Sequence, residues 1–309
     1  MLKTLRNLAA LAVTAVTLTA CGGGHHETRS VVSVLAADPS TQVLATAIRE
    51  AGLDSALAGP GPFTIFAPTD AAFTALLAEL GITQAQLLAN KPLLTQVLQY
   101  HVLNGRVARA AVPLGKPITP LAGGIFKVES VSGELRVTDG RNRVSRITTT
   151  DIDGGNGVIH KLDRVLLPAD KTIVQTAQSL PDFSILVEAV VAADLVSTLS
   201  GPGPFTVFAP TNAAFASALA ELGLTKDQLF ANRPLLTKVL TYHVLASRVL
   251  KADVPVGTPI TTVQGETFSV DSALRITDRN GRLAAITATD VLTSNGVIHV
   301  IDKVILPKL

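Results

Sequence analysis

A single cysteine, Cys21, is present, so no disulfide within the chain can brace the fold. Apolar burial must do that work, and Val, Ile, Leu and Ala are plentiful enough for it. An excess of charge is missing too. Once Lys3 and Arg6 of the N-terminal stretch are set aside, 24 basic residues face 24 acidic ones. With no basic stripe interleaved with aromatics, the chain carries no electrostatic footprint for nucleic acid. G-x-S-x-G, H-E-x-x-H, a Walker loop and a dinucleotide fingerprint are all absent. Gly59–Pro62 contains glycines, but its prolines remove the N–H donors that a phosphate cradle requires. Nowhere is a nucleophile paired with a base, so the sequence predicts neither an enzyme nor a cofactor.

The N-terminus holds the one long apolar run. Lys3 and Arg6 precede an acid-free stretch from Leu8 to Ala20, a charged n-region followed by an apolar h-region. These thirteen residues fall short of the about 20 that a spanning helix needs. A signal peptide over residues 1–20 fits better than a permanent anchor. Leu18, Thr19, Ala20 and Cys21 resemble a bacterial lipobox, which predicts lipidation of Cys21 and cleavage just before it. Gly22, in place of the aspartate that retains lipoproteins at an inner membrane, points to an outer membrane or cell surface. Residues 21–29, CGGGHHETR, read as a flexible tether reaching about 30 Å when extended. His25, His26 and Glu27 in it are read as solvated polar residues rather than metal ligands.

Beyond the tether the chain is written twice. GPGPFTIFAPTDAAF at residues 59–73 returns as GPGPFTVFAPTNAAF at 201–215. Asn90, Pro92, Leu93, Leu94, Tyr100 and His101 meet Asn232, Pro234, Leu235, Leu236, Tyr242 and His243 at the same offset. NGVIH at 156–160 meets NGVIH at 295–299 at an offset three residues shorter, so a turn between about Val131 and Leu135 has been trimmed. A period this long means tandem domains, at 30–168 and 169–309, rather than a solenoid. The link LLPADKT is short and contains Pro168, which predicts a fixed mutual orientation.

Within one unit, helical spacing of Val43, Leu44, Ala47, Ile48, Ala51 and Leu57 follows Ser40, a good N-cap, with Gly52 dividing the segment. Phe63–Ala67 reads as a strand stopped by Pro68. Thr69 and Asp70 open a helix that ends at Gly81, and two more follow, the last from Pro92 to about Leu103. Further on, β-branched runs at 117–121, 126–131, 135–138, 144–150 and 158–166 read as strands separated by turns such as DGRN. Helices first and strands second give an α+β unit.

FTIFAPTDAAF, Tyr100 with His101, and NGVIHKLDRVLLP, each repeated in the second unit, resemble the first motif, the Tyr-His motif and the second motif of fasciclin-like domains. That resemblance implies two tandem wedge-shaped β-sandwiches flanked by helices, on secreted or surface-anchored proteins that mediate adhesion or matrix contacts. Asp70 in one copy is Asn212 in the other. Both accept hydrogen bonds at a helix start, whereas a catalytic carboxylate would not keep its role as an amide. Thr69, Asp70, Thr211 and Asn212 are therefore expected to be structural. The turn pairs Asn156, Gly157 and Asn295, Gly296 are read the same way.

In animal relatives an Asp-Ile pair before the second motif and the Tyr-His region have been assigned integrin contacts. The resemblance thus marks Asp151, Ile152, Asp290, Val291, Tyr100, His101, Tyr242 and His243 as candidate partner contacts, with core packing the competing reading. One histidine pair per domain, His101 with His160 and His243 with His299, is too few for a metal site. DIDGGNG at 151–157 loses its acids in the second copy, where DVLTSNG stands, so no calcium loop is expected. The expected function is a lipid-anchored, exported, non-enzymatic adhesion module whose partner is an unknown protein or a matrix or envelope polymer. The alternative is an envelope-located binding protein for a small molecule or polymer in a groove between the domains.

Overall fold

Phe63–Pro68 (β1) pairs in parallel with Gly157–Leu162 (β7) over six residues, bringing the strands of the two long sequence motifs of the first unit side by side. This is the centre of the fold in a computed structural model that describes residues 29–308. The expected signal peptide, Cys21 and the expected tether up to residue 28 lie outside the described residues, as does residue 309.

In the first unit six helices, Val31–Ala37 (α1), Gln42–Glu50 (α2), Asp54–Ala58 (α3), Asp70–Leu80 (α4), Gln84–Ala89 (α5) and Lys91–Tyr100 (α6), surround β1 in sequence. Val102–Asn104 (β2), Pro117–Ile118 (β3), Phe126–Val131 (β4), Glu134–Thr138 (β5) and Val144–Asp153 (β6) then lead to β7. The strands form one sheet in the order β2-β1-β7-β6-β5-β4-β3. The second unit repeats this with Ile173–Gln178 (α7), Ser184–Ala192 (α8), Val196–Ser200 (α9), Asn212–Leu222 (α10), Lys226–Ala231 (α11) and Arg233–Tyr242 (α12). Its sheet comprises Phe205–Pro210 (β8), Val244–Leu245 (β9), Ile260–Thr261 (β10), Thr267–Val270 (β11), Arg275–Thr277 (β12), Leu283–Thr293 (β13) and Gly296–Ile301 (β14). Each unit is the expected α+β wedge. No helix among the described residues is long and apolar enough to cross a membrane.

Alternation along β1 explains the layering, because successive side chains of a strand face opposite ways. Ile65 and Ala67 join the helices in one apolar core, with Leu44, Phe73 and Leu94. Phe66 faces a second core with Tyr100, Phe126, Val137 and Leu162. Phe66 and Phe126 meet edge to face with centroids 5.1 Å apart, which folds the β3–β5 end of the sheet back over β1 and β7. β6 makes the passage, pairing with β5 at Ser145 and Arg146 and with β7 further on, and carrying two register shifts on the way.

The segment after Ser40 divides at Gly52 as expected, into α2 and α3, with Gly52 at φ +69°. Other local expectations change. Ser40 does not cap α2, since its hydroxyl bonds to Asp38 and the N-cap position is Thr41. α6 stops at Tyr100 rather than Leu103, because Val102–Asn104 leave the helix to pair antiparallel with β1. α1, which the apolar spacing did not suggest, is held by a reciprocal capping box between Ser30 and Ser33. The deletion falls where it was expected: the first copy keeps the full hairpin, with Ser132 and Gly133 both at positive φ, and the second copy shortens it so that Val270 pairs with Ile276.

Candidate interaction surface

Thr69 and Thr211 are the N-caps of α4 and α10, each accepting the third helical N–H, from Ala72 and Ala214. Asp70 and Asn212 reach further. Asp70 Oδ1 accepts the N–H of Val43 at the start of α2, 2.8 Å away, and Asn212 Oδ1 accepts that of Ile185 in α8 at 2.9 Å. The shared task is to take one amide proton from a neighbouring helix whose own N-cap offers no side-chain acceptor. An amide oxygen serves as well as a carboxylate there, which accounts for the substitution.

Asn156 and Asn295 do more than turn the chain. Asn156 Oδ1 accepts from Val31 N, while its amide donates to Leu57 O and Gly59 O, both at 2.8 Å. Asn295 repeats all three bonds with Ile173, Leu199 and Gly201. A short-range turn motif thereby fastens the first helix and the end of the third to the sheet. Gly157 and Gly296 run so close to the neighbouring strand that a Cβ would sit 2.4 and 2.2 Å from the carbonyl oxygens of Phe63 and Phe205.

Tyr100, His101, Tyr242 and His243 are core residues, none more than 2% exposed, and they offer no surface to a partner. This overturns their candidate role as contacts. Their polar atoms are spent on backbone: Tyr100 bonds to Ile125 O and Tyr242 to Thr267 O. His101 Nε2 must accept the N–H of Leu166 at 2.9 Å, so Nδ1 carries the proton and donates to Val97 O at 2.7 Å. His243 does the same between Ile305 and Val239. Burial pulls both rings down to about 4, so they are neutral at pH 7.

His160 and His299 carry the opposite tautomer, donating from Nε2 to Val107 O and Val249 O. Their Nδ1 atoms accept the N–H of Asp151 and Asp290 at 3.3 Å. Burial lowers the His299 pKa. These bonds hold both aspartates at left-handed backbone angles, φ +60° and +59°, on β6 and β13. Each aspartate also accepts a backbone N–H at Oδ1, from Arg109 at 2.8 Å or Lys251 at 2.7 Å. Ile152 and Val291 are half-buried against the helical cores, so the exposed member of the first pair is Asp151 alone.

Past this point the copies diverge. Asp290 is buried, and its Oδ2 takes the ammonium of Lys127 from the first domain at 2.9 Å. Asp290 is therefore a contact between the two domains of this chain, not a site for an outside partner. Beside it Asn142 trades two hydrogen bonds with the backbone of Leu292, at 2.6 and 3.0 Å. Ile125 packs into one apolar cluster with Leu250, Leu292 and Val297. Asp151 keeps the same backbone angles and the same histidine and amide partners, yet it is exposed and its Oδ2 has no hydrogen bond among the described residues. Sequence reasoning missed Lys127 and Asn142. The signal was there, for the second copy has Ser269 and Gly281 at those positions.

Among the described residues no group of three or more His, Cys, Asp or Glu side chains is placed to hold a metal. The chain matches the fasciclin domain over residues 39–168 and 181–307, and it belongs to that family. It is 30% identical over 255 residues to transforming growth factor-beta-induced protein ig-h3 of Sus scrofa, covering 81% of this chain and 35% of that protein. Protein sll1483 of Synechocystis sp. is 46% identical over 142 residues, 45% of this chain and 74% of its own length. Periostin of Homo sapiens is 28% identical over 269 residues, 84% of this chain and 29% of periostin. The chain thus spans about a third of the length of the two animal relatives.

Proposed function

We propose that the chain is an exported adhesion or protein-interaction module, tethered to a bacterial envelope by lipid on Cys21, and that it works by binding rather than by chemistry. One observation carries the reading. Asp151 and Asp290 have the same backbone conformation and equivalent histidine and backbone amide partners, and Asp290 spends its remaining oxygen on a lysine of the neighbouring domain. Asp151 presents that same oxygen to solvent. The face around Asp151 is accordingly the docking face of the first domain, suited to a partner that brings a cationic side chain. Membership of the fasciclin family supports adhesion as the purpose of that docking.

The test has two parts. The protein should label on intact cells, and deleting it should reduce attachment to cells, matrix or surfaces. Protein sheltered from added protease, together with unchanged attachment in the deletion strain, contradicts the proposal. A second reading, a small-molecule or polymer binder, is favoured by a cleft of about 570 Å³ between the domains, lined among others by Arg141, Asn142, Asp170, Lys171 and Leu292. Retention of an envelope polysaccharide by the wild type and its loss in Lys171→Glu would select that reading over the first.

A further inference from the structure

We infer that the second domain has a binding site for the end of an alkyl chain, in a cavity whose equivalent in the first domain is filled by a leucine side chain of that domain. The cavity, about 120 Å³, lies among α10, α11, α12 and the segment at Val304 and Leu306. Its lining is wholly apolar, including Ala218, Phe215, Leu219, Leu224, Leu235 and Val239. In the first domain the residue matching Ala218 is Leu76, which is 3% exposed and packs with Phe73, Leu87, Leu94 and Val97. Those four match Phe215, Leu229, Leu236 and Val239 of the cavity, so one truncation from leucine to alanine opens the space.

What fits follows from what is missing. The position vacated is that of a leucine side chain, a small saturated hydrocarbon group. With no donor or acceptor in the wall, a polar group entering would lose its hydrogen bonds to water, whereas a methyl or methylene group would regain the packing that Leu76 supplies. An engineered cavity of about 150 Å³ lined by similar residues stays dry and takes up benzene, so this size suffices to bind. Leu219, Leu222, Leu224 and Leu235 are only half-buried, which leaves the cavity open at one side. A chain can enter there end first and keep a polar head in water.

The site is tested by methyl NMR on the soluble chain from residue 22 onward, with n-octanol as the probe. The expected result is saturable shifts confined to the methyl groups that line the cavity, including Ala218, Leu229, Leu236 and Val239 at its inner end and Leu219 and Leu235 at its mouth. Ala218→Leu, which installs the side chain already packed at Leu76, should fold, raise the melting temperature and abolish those shifts. Shifts that persist in Ala218→Leu, or no saturable shift in the wild type, would overturn the inference. Phosphatidylcholine vesicles give a second arm: shifts with both probes assign the site to chains that include bilayer lipid, and shifts with octanol alone assign it to soluble amphiphiles.

Discussion

The ammonium of Lys127 in the first domain lies 2.9 Å from Asp290 Oδ2 in the second, with the two side chains 7% and 2% exposed. A buried pair of this kind resists the loss of one member far more than the loss of both, since a lone charge stays desolvated. Lys127→Met should therefore weaken the docking of the domains by about 3–5 kcal/mol. Lys127→Met with Asp290→Asn should recover part of that loss. Calorimetry checks both: the single variant should separate one melting transition into two, and the double variant should draw them together again.

His101 and His243 make stability depend on pH. Their folded pKa values, about 4, lie below the ordinary 6.5, so between those limits the unfolded chain binds more protons. Stability from this source is complete above pH 6.5 and declines as the pH falls towards 4. Each ring accounts for about 3 kcal/mol over that interval. Urea unfolding at pH 7 and pH 4.5 should show the decline, and His101→Gln with His243→Gln should be less stable at pH 7 but flatter with pH.

Asn295 joins three backbone groups, accepting the N–H of Ile173 and donating to the carbonyls of Leu199 and Gly201. Asn295→Asp keeps the acceptor but turns a carboxylate oxygen towards two carbonyls, leaving both unpaired. Each buried group left without a partner costs about 1–3 kcal/mol, so the second domain should lose several kcal/mol in chemical unfolding. Asn295→Ala should be comparably harmful.

Asp70 gives the opposite outcome. Asp70→Asn reproduces the residue at position 212 and should change stability by less than about 0.5 kcal/mol, whereas Asp70→Ala leaves the Val43 amide unsatisfied and should cost about 1 kcal/mol. Thermal unfolding of the two variants decides between an acceptor role and one that needs the negative charge.

These contrasts show which features were legible in the sequence. Duplication made the fold readable, because capped helices, Pro68 and the paired motifs announced themselves twice. Elements held by long-range pairing were not readable: β2 looks like the tail of α6 until β1 takes its backbone bonds. The Tyr-His motif was a candidate contact through family resemblance, and the structure favours the competing reading, core packing, with its polar atoms bonded to backbone partners. Asp151 and Asp290 look equivalent in sequence. Their difference comes from contacts with the first domain, above all Lys127, which sits 163 residues from Asp290.

The most direct test of the account is cell attachment with Asp151→Lys, which reverses the charge of the exposed aspartate. Lysine at φ +60° is strained, so Asp151→Asn, which keeps the left-handed conformation and the bond to Arg109, is measured beside it. The account predicts that both variants remain folded and surface-exposed, that Asp151→Asn reduces attachment, and that Asp151→Lys lowers it to the level of the deletion strain. Full attachment by both variants would contradict it.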